Sequence, residues 1–189
     1  YKNGAIEKLV ITKKSEITPT VNAIVAKGTK VYTGGGSTTY IKTGSDTWYW
    51  PTTSPYVITS YVEPRWGSYH KGIDISGSGY GSPIRSSTDG VVIETHNTCP
   101  NFGSGYRDMC GGSYGNYVFV SYNNDELIVK YAHMTKDVQV KVGDTVSRGQ
   151  IIGYMGSSGS STGTHLHFEL RKGSTYGQIV NPCRSVFKC

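Results

Sequence analysis

Gly163-Thr164-His165-Leu166-His167-Phe168-Glu169-Leu170 alternates between polar and apolar residues from His165 onward. Successive side chains of a β-strand point to opposite faces, so Leu166, Phe168 and Leu170 share one face while His165 and His167 share the other. The apolar face suits a core. The other presents two imidazoles about 6.6 Å apart, the rise of two strand residues. Two such rings can converge on one metal ion, or one can bind while its neighbour faces a substrate.

The same short, β-branched pattern recurs outward from this stretch. It predicts strands at 56–62, 72–76, 90–95, 117–122, 127–133, 138–142, 151–155 and 165–170. Asn123-Asn124-Asp125 between two of them reads as a hairpin turn. With 25 glycines, many Ser and Thr, and no amphipathic helical window, the chain is expected to be all-β, an antiparallel structure of two sheets. No internal repeat is visible.

A length of 189 residues suits one domain with an extension, or two small ones. Residues 1–32 read as strand-turn-strand, and 33–46 as a Gly/Ser/Thr-rich linker. The main domain is placed at 47–189, where apolar content restarts at Trp48-Tyr49-Trp50. Tyr1 is not an initiator methionine, so the chain reads as a mature or trimmed product. No apolar run reaches the 18 or so residues of a membrane span. The net charge of +6 points to an anionic setting. Nucleic acid fits poorly, because there is no basic block, basic amphipathic helix or zinc-finger spacing. An anionic cell wall suits the same charge.

The four cysteines, Cys99, Cys110, Cys183 and Cys189, lack C-x-x-C spacing. An even count in a Tyr/Ser/Gly-rich chain points to disulfides and an oxidising compartment. Of three connectivities, proximity favours Cys99–Cys110 with Cys183–Cys189.

Only five histidines occur. His70 and Asp74 flank Gly72 in H-K-G-I-D, and four extended residues span about 13 Å, too far for one metal to bridge. The segment is therefore expected to bend, and Gly72 allows it. His133 follows the alternating Leu127, Val129 and Tyr131 at a strand end. Two histidines and a carboxylate leave a fourth tetrahedral position open, the mark of a catalytic zinc site, with two more histidines left to handle protons. His96 matches no pattern and reads as an ordinary surface residue. Gly159-Ser160-Ser161-Thr162-Gly163 matches the G-x-S-x-G nucleophile elbow in letters, yet sits in a Ser/Gly loop with no following helix.

Taken together, these segments resemble lysostaphin-type zinc metallo-endopeptidases. The resemblance is carried by Pro64-Arg65-Trp66-Gly67 with His70-Lys71-Gly72-Ile73-Asp74-Ile75, then Thr88-Asp89-Gly90-Val91-Val92 and Gly115-Asn116-Tyr117-Val118. It continues through Tyr131-Ala132-His133-Met134, Val142-Gly143-Asp144-Thr145-Val146, Gly149-Gln150-Ile151-Ile152-Gly153 and Gly163 to Glu169, covering about 57–182 in unbroken order. It implies one zinc ion held by His70, Asp74 and His167, with His133 and His165 as the catalytic pair, their division of labour left open. It implies an open groove in an antiparallel sheet, and hydrolysis of stem cross-links or glycine-rich bridges in peptidoglycan outside the cell or on a phage particle. A zinc protease of glycine-rich proteins and a non-hydrolytic wall-binding or activator domain are the rival readings. Two stretches exceed the family pattern: a longer loop at 99–113, placed to shape substrate choice, and the tail 183–189. Residues 17–30 resemble the last strands of a G-five-type cell-wall module, less than half of one, and read as a linker remnant.

Overall fold

Most of the alternating segments assemble into one antiparallel sheet. The structure, a computed structural model, describes residues 48–65 and 67–189. The extension 1–32, the linker 33–46 and the G-five-like stretch lie outside the described residues. Among the described residues twelve strands occur, in chain order β1 (Val57–Ser60), β2 (Glu63–Arg65), β3 (Ser68–His70), β4 (Ile73–Ser76), β5 (Pro83–Arg85) and β6 (Gly90–His96), then β7 (Asn116–Tyr122), β8 (Leu127–Met134), β9 (Thr145–Val146), β10 (Ile151–Tyr154), β11 (Leu166–Lys172) and β12 (Gln178–Val180). The main sheet runs β1-β4-β11-β8-β7-β6-β9, with β12 beside the far end of β11. β2 with β3, and β5 with β10, form separate two-stranded ribbons.

Strand parity explains the two faces. Ile73, Ile75, Val118, Val120, Val129, Tyr131, Leu166, Phe168 and Leu170 all point into one buried cluster, closed from the other side by Ile84 of β5 and Ile152 of β10. Trp50 and Phe187 pack against this cluster and meet edge to face. The second layer is thus a small ribbon flanked by Trp50 and Phe187. On the opposite face, Tyr117, Phe119, Ile128 and Ala132 make a smaller cluster, and there Asp74, His167 and Glu169 emerge.

Two expectations need correction. Residues 138–142 form no strand: Val138 and Val140 pack on the core, but the segment's backbone tie is Gln139 N–H to the Ile152 carbonyl. Alternation there reported burial and not pairing; a turn at Lys141–Asp144 with Gly143 at φ 93° ends it. His165 lies just before β11 and not inside it. Both local disulfides form, Cys99–Cys110 and Cys183–Cys189. The Asn123–Asp125 hairpin turn is also present, with all three residues at positive φ.

Candidate metal centre and cleft

Cross-strand pairing builds the centre of the site. His167 on β11 lies directly opposite Asp74 on β4, and opposite Ala132 on β8. Directly opposed residues share a face with their side chains in reach of one another. His70 ends β3 and Asp74 lies in β4, so the chain bends between them at Lys71-Gly72. Gly72 is required there, since a Cβ would sit 2.3 Å from the Phe168 carbonyl oxygen. The three predicted donors then converge: His70 Nε2 lies 3.1 Å from Asp74 Oδ1 and 3.1 Å from His167 Nδ1, and His167 Nδ1 lies 2.9 Å from Asp74 Oδ1.

The outer ring nitrogens fix the tautomers. A carbonyl oxygen can only accept, so His70 Nδ1–H donates to Tyr61 O (2.8 Å), His133 Nδ1–H to Ser158 O (2.7 Å) and His165 Nδ1–H to Gly163 O (2.8 Å). His167 Nε2–H faces Glu169 Oε2 at 3.3 Å. Each ring therefore turns its other nitrogen inward. Two inward lone pairs 3.1 Å apart, on His70 and His167, repel unless a cation or a proton lies between them. Burial opposes charge on His167, but hydrogen bonds from its imidazolium to Asp74 and Glu169 outweigh this and push its pKa up to about 9. Burial likewise opposes ionisation of Asp74, yet contacts with His167 and His70 hold its carboxyl far below the usual range. A site that retains a proton at neutral pH is one shaped for positive charge, and an N, N, O donor set with an open side matches zinc.

His133 and His165 stand beside this trio. Their ring centroids are 4.7 Å apart, and His165 Nε2 is 3.6 Å from Asp74 Oδ1. Burial lowers the pKa of both, that of His133 to about 3 with repulsion from His165 and His167 adding to it, so both rings are neutral at pH 7. His133 reaches the cleft by an irregularity. Its parity on β8 is that of Val129 and Tyr131, which point into the core. A register shift relative to β7 lets Asn116 pair with Met134 and Val118 with Tyr131, so that Ala132 and His133 together oppose Tyr117. This bulge, with His133 at φ 59°, swings the imidazole to the cleft face and returns Met134 to the core. A left-handed backbone at a non-glycine residue costs about 1–2 kcal/mol.

Four groups beneath the site, Glu169, Tyr114, Arg171 and Lys130, escaped the sequence reading. Glu169 is fully buried, accepting from Tyr114 Oη (3.0 Å) and Arg171 Nε, with Lys130 Nζ at 3.4 Å. Burial disfavours its charge, yet the His167, Lys130 and Arg171 contacts bring its pKa down to about 2. A carboxylate on the outer N–H of a metal-binding imidazole fixes the ring and raises its basicity. The signal was there in β11, where Glu169 and Arg171 share the parity of His167. His96 is no plain surface residue either. It stacks on Tyr117, its Nε2 lies 3.1 Å from Thr98 Oγ1, and it borders the Cys99–Cys110 bridge.

The groups open into a cleft of about 860 Å³, lined by Ser60, Glu63, Arg65, Lys71, Tyr106, Tyr114 and 160–164. That volume accommodates a peptide of a few residues. Arg65 Nη2 lies 3.4 Å from Asp74 Oδ2 and so holds the second carboxylate oxygen.

The model of peptidase family M23 matches residues 68–182. The chain is 36% identical over 128 residues to the peptidoglycan DD-endopeptidase ShyA of Vibrio cholerae, covering 64% of this chain and 26% of that protein. It is 38% identical over 103 residues to the glycyl-glycine endopeptidase ALE-1 of Staphylococcus capitis, covering 54% and 25%. The chain thus spans about a quarter of the length of these curated relatives. Among solved structures, the catalytic domain of the prophage-encoded M23 protein EnpA from Enterococcus faecalis superposes with a TM-score of 0.57 at 36% identity, covering 74% of this chain and 96% of that one.

Proposed function

We propose that this chain, which belongs to peptidase family M23, is a zinc-dependent endopeptidase hydrolysing peptide bonds of bacterial peptidoglycan, in stem cross-links or interpeptide bridges. His70 Nε2, Asp74 Oδ1 and His167 Nδ1 would hold the single ion, and His133 and His165 handle protons beside it. The observation that carries this reading is the convergence of those three atoms within 2.9–3.1 Å, with every outer N–H of the four rings already bonded away from the cleft. When bound, zinc supplies Lewis acidity that polarises a scissile carbonyl and lowers the pKa of water towards about 7.

The residues of the chain do the rest. Neutral His133 and His165 each turn an acceptor Nε2 towards the cleft, so either can take the proton of an attacking water. The imidazolium so formed passes that proton to the departing amine nitrogen. Glu169 keeps the His167 ring in one orientation, and Arg65 keeps Asp74 from rotating. Residues 47–189 form the catalytic domain in this reading. Two disulfides and a net charge of +6 support work outside the cell membrane, on an anionic wall. Among the described residues, no helix is long and apolar enough to cross a membrane.

The test is digestion of purified walls with two cross-link chemistries, followed by mass analysis of the fragments and zinc quantification. His167→Ala is expected to lose both zinc and fragment release, as does chelated protein. Release that survives either treatment would overturn the zinc reading. The masses identify the bond cut, and fragments from neither wall would overturn peptidoglycan as the substrate.

A further inference from the structure

Asn116 opens β7 with its side chain fully buried, and it ties together three segments. Its Oδ1 accepts from Cys99 N–H (2.9 Å), and its Nδ2 donates to Cys99 O (3.0 Å) and Met134 O (3.3 Å). Its backbone N–H donates to Ser158 Oγ (2.8 Å), which itself donates to Met134 O (2.6 Å). Cys99 belongs to the disulfide-closed loop, Met134 follows the bulged His133, and Ser158 supplies the carbonyl that fixes the His133 ring.

The loop also touches the 156–163 segment directly. Gly103 N–H donates to Ser157 O (2.7 Å) and Ser157 N–H to Asn101 O (3.0 Å). The backbones are so close that a Cβ on Gly103 would lie 1.8 Å from Gly159 O, and one on Gly159 would lie 2.3 Å from Gly115 N. From there Ser157 Oγ meets Ser161 Oγ at 2.9 Å, and Ser161 Oγ lies 3.3 Å from His165 Nδ1. None of these hydrogen bonds falls on His70, Asp74 or His167.

We infer that Asn116 is a positioning residue: it locks the β8 bulge that brings His133 into the cleft, and it makes turnover depend on the disulfide-closed loop 99–110. The inference rests on the reading that His133 handles protons. Backbone strain at His133 relaxes if nothing holds it, and the ring then swings back towards the core side of β8. Asn116 opposes that relaxation from both sides, through Met134 and through Ser158.

The decisive variant is Asn116→Asp, which keeps the acceptor for Cys99 N–H and removes both Nδ2–H donors. On a soluble cross-linked muropeptide, kcat is expected to fall about 10- to 100-fold, as for a small misplacement of a reacting group. KM should stay within about twofold and zinc at one ion per chain. In a His133→Ala background the same change should lower kcat less than about twofold. An equal loss in both backgrounds would overturn the inference. Proton NMR gives a readout that needs no substrate. The His133 Nδ1–H bonded to Ser158 O should resonate far downfield and be protected from exchange, and Asn116→Asp should broaden or remove it. An unchanged signal would overturn the inference, whereas a lost signal in a chain that never cuts peptidoglycan would overturn only the proposed function. Should Asn116→Asp not fold, the Cys99→Ala/Cys110→Ala double variant opens the loop instead. It should weaken the same signal and lower kcat at constant zinc, and an unchanged signal with unchanged kcat would overturn the loop's part.

Discussion

Glu169 is the residue whose charge the site can least do without. Its partners His167, Lys130 and Arg171 are all cationic or ready to be. Glu169→Gln preserves shape but weakens the hold on His167, and zinc affinity should fall about 10- to 100-fold in competition with a chromophoric chelator. Glu169→Ala strands the buried Lys130 ammonium and should cost about 3–5 kcal/mol in denaturant titrations. The pH dependence has a definite sign. A folded pKa of about 2 against 4.5 unfolded gives stability that is complete above pH 4.5 and is lost as pH falls towards 2, and Glu169→Gln should flatten that acid limb. His167 behaves oppositely, since its proton competes with the metal. With a pKa near 9, it should release about one proton per zinc at pH 7–8, and zinc affinity should rise with pH up to about 9. Calorimetry in buffers of different ionisation heat measures this directly. At this scale the five candidate residues that the structure brings together were legible, because histidine is rare here and the motif is distinctive. The support beneath them was not, since a buried Glu-Lys-Arg-Tyr cluster has the same alternating signature as a solvated strand face.

Strand periodicity located most of the elements, and it failed where side-chain parity and backbone pairing part company. Residues 138–142 alternate because they pack on the core, with a single backbone bond to Ile152 of β10 and no ladder. His133 is the sharper case: read by parity it belongs in the core with Tyr131, and only the bulge opposite Tyr117 puts it in the cleft. A one-residue register shift leaves no mark in composition. The Gly72 bend, by contrast, was legible from reach alone, because an extended H-K-G-I-D cannot close on one ion. Gly72→Ala should force the β4–β11 pair apart at Phe168, lowering stability by about 1–3 kcal/mol and cutting zinc stoichiometry, both measurable on the same purified sample. Retained zinc with lowered stability would separate the bend's packing role from its role in closing the site.

At the scale of the molecule, an all-β fold with an open cleft followed from turn-rich composition and from the resemblance. The division into one eight-stranded sheet and two small ribbons did not, because strand order is set by non-local pairing. The net charge of +6 carries its own prediction. Cleavage of intact, anionic walls should slow as salt rises from 50 to about 300 mM, while cleavage of a small soluble muropeptide should barely change. An equal response of both substrates would place the salt effect in the cleft.

The pairing of His167 with Asp74 joins residues 93 positions apart. Among the described residues, no single hairpin gathers the three proposed donors, so a zinc ion held by them has nothing to grip until β4 and β11 have paired. Zinc should therefore act as a latch on the finished molecule rather than a seed for its folding. Stopped-flow experiments should show unfolding slowed by bound metal and refolding indifferent to it. In the proposed function, the β4–β11 pairing must be complete before the chain gains the chemistry to cut a wall.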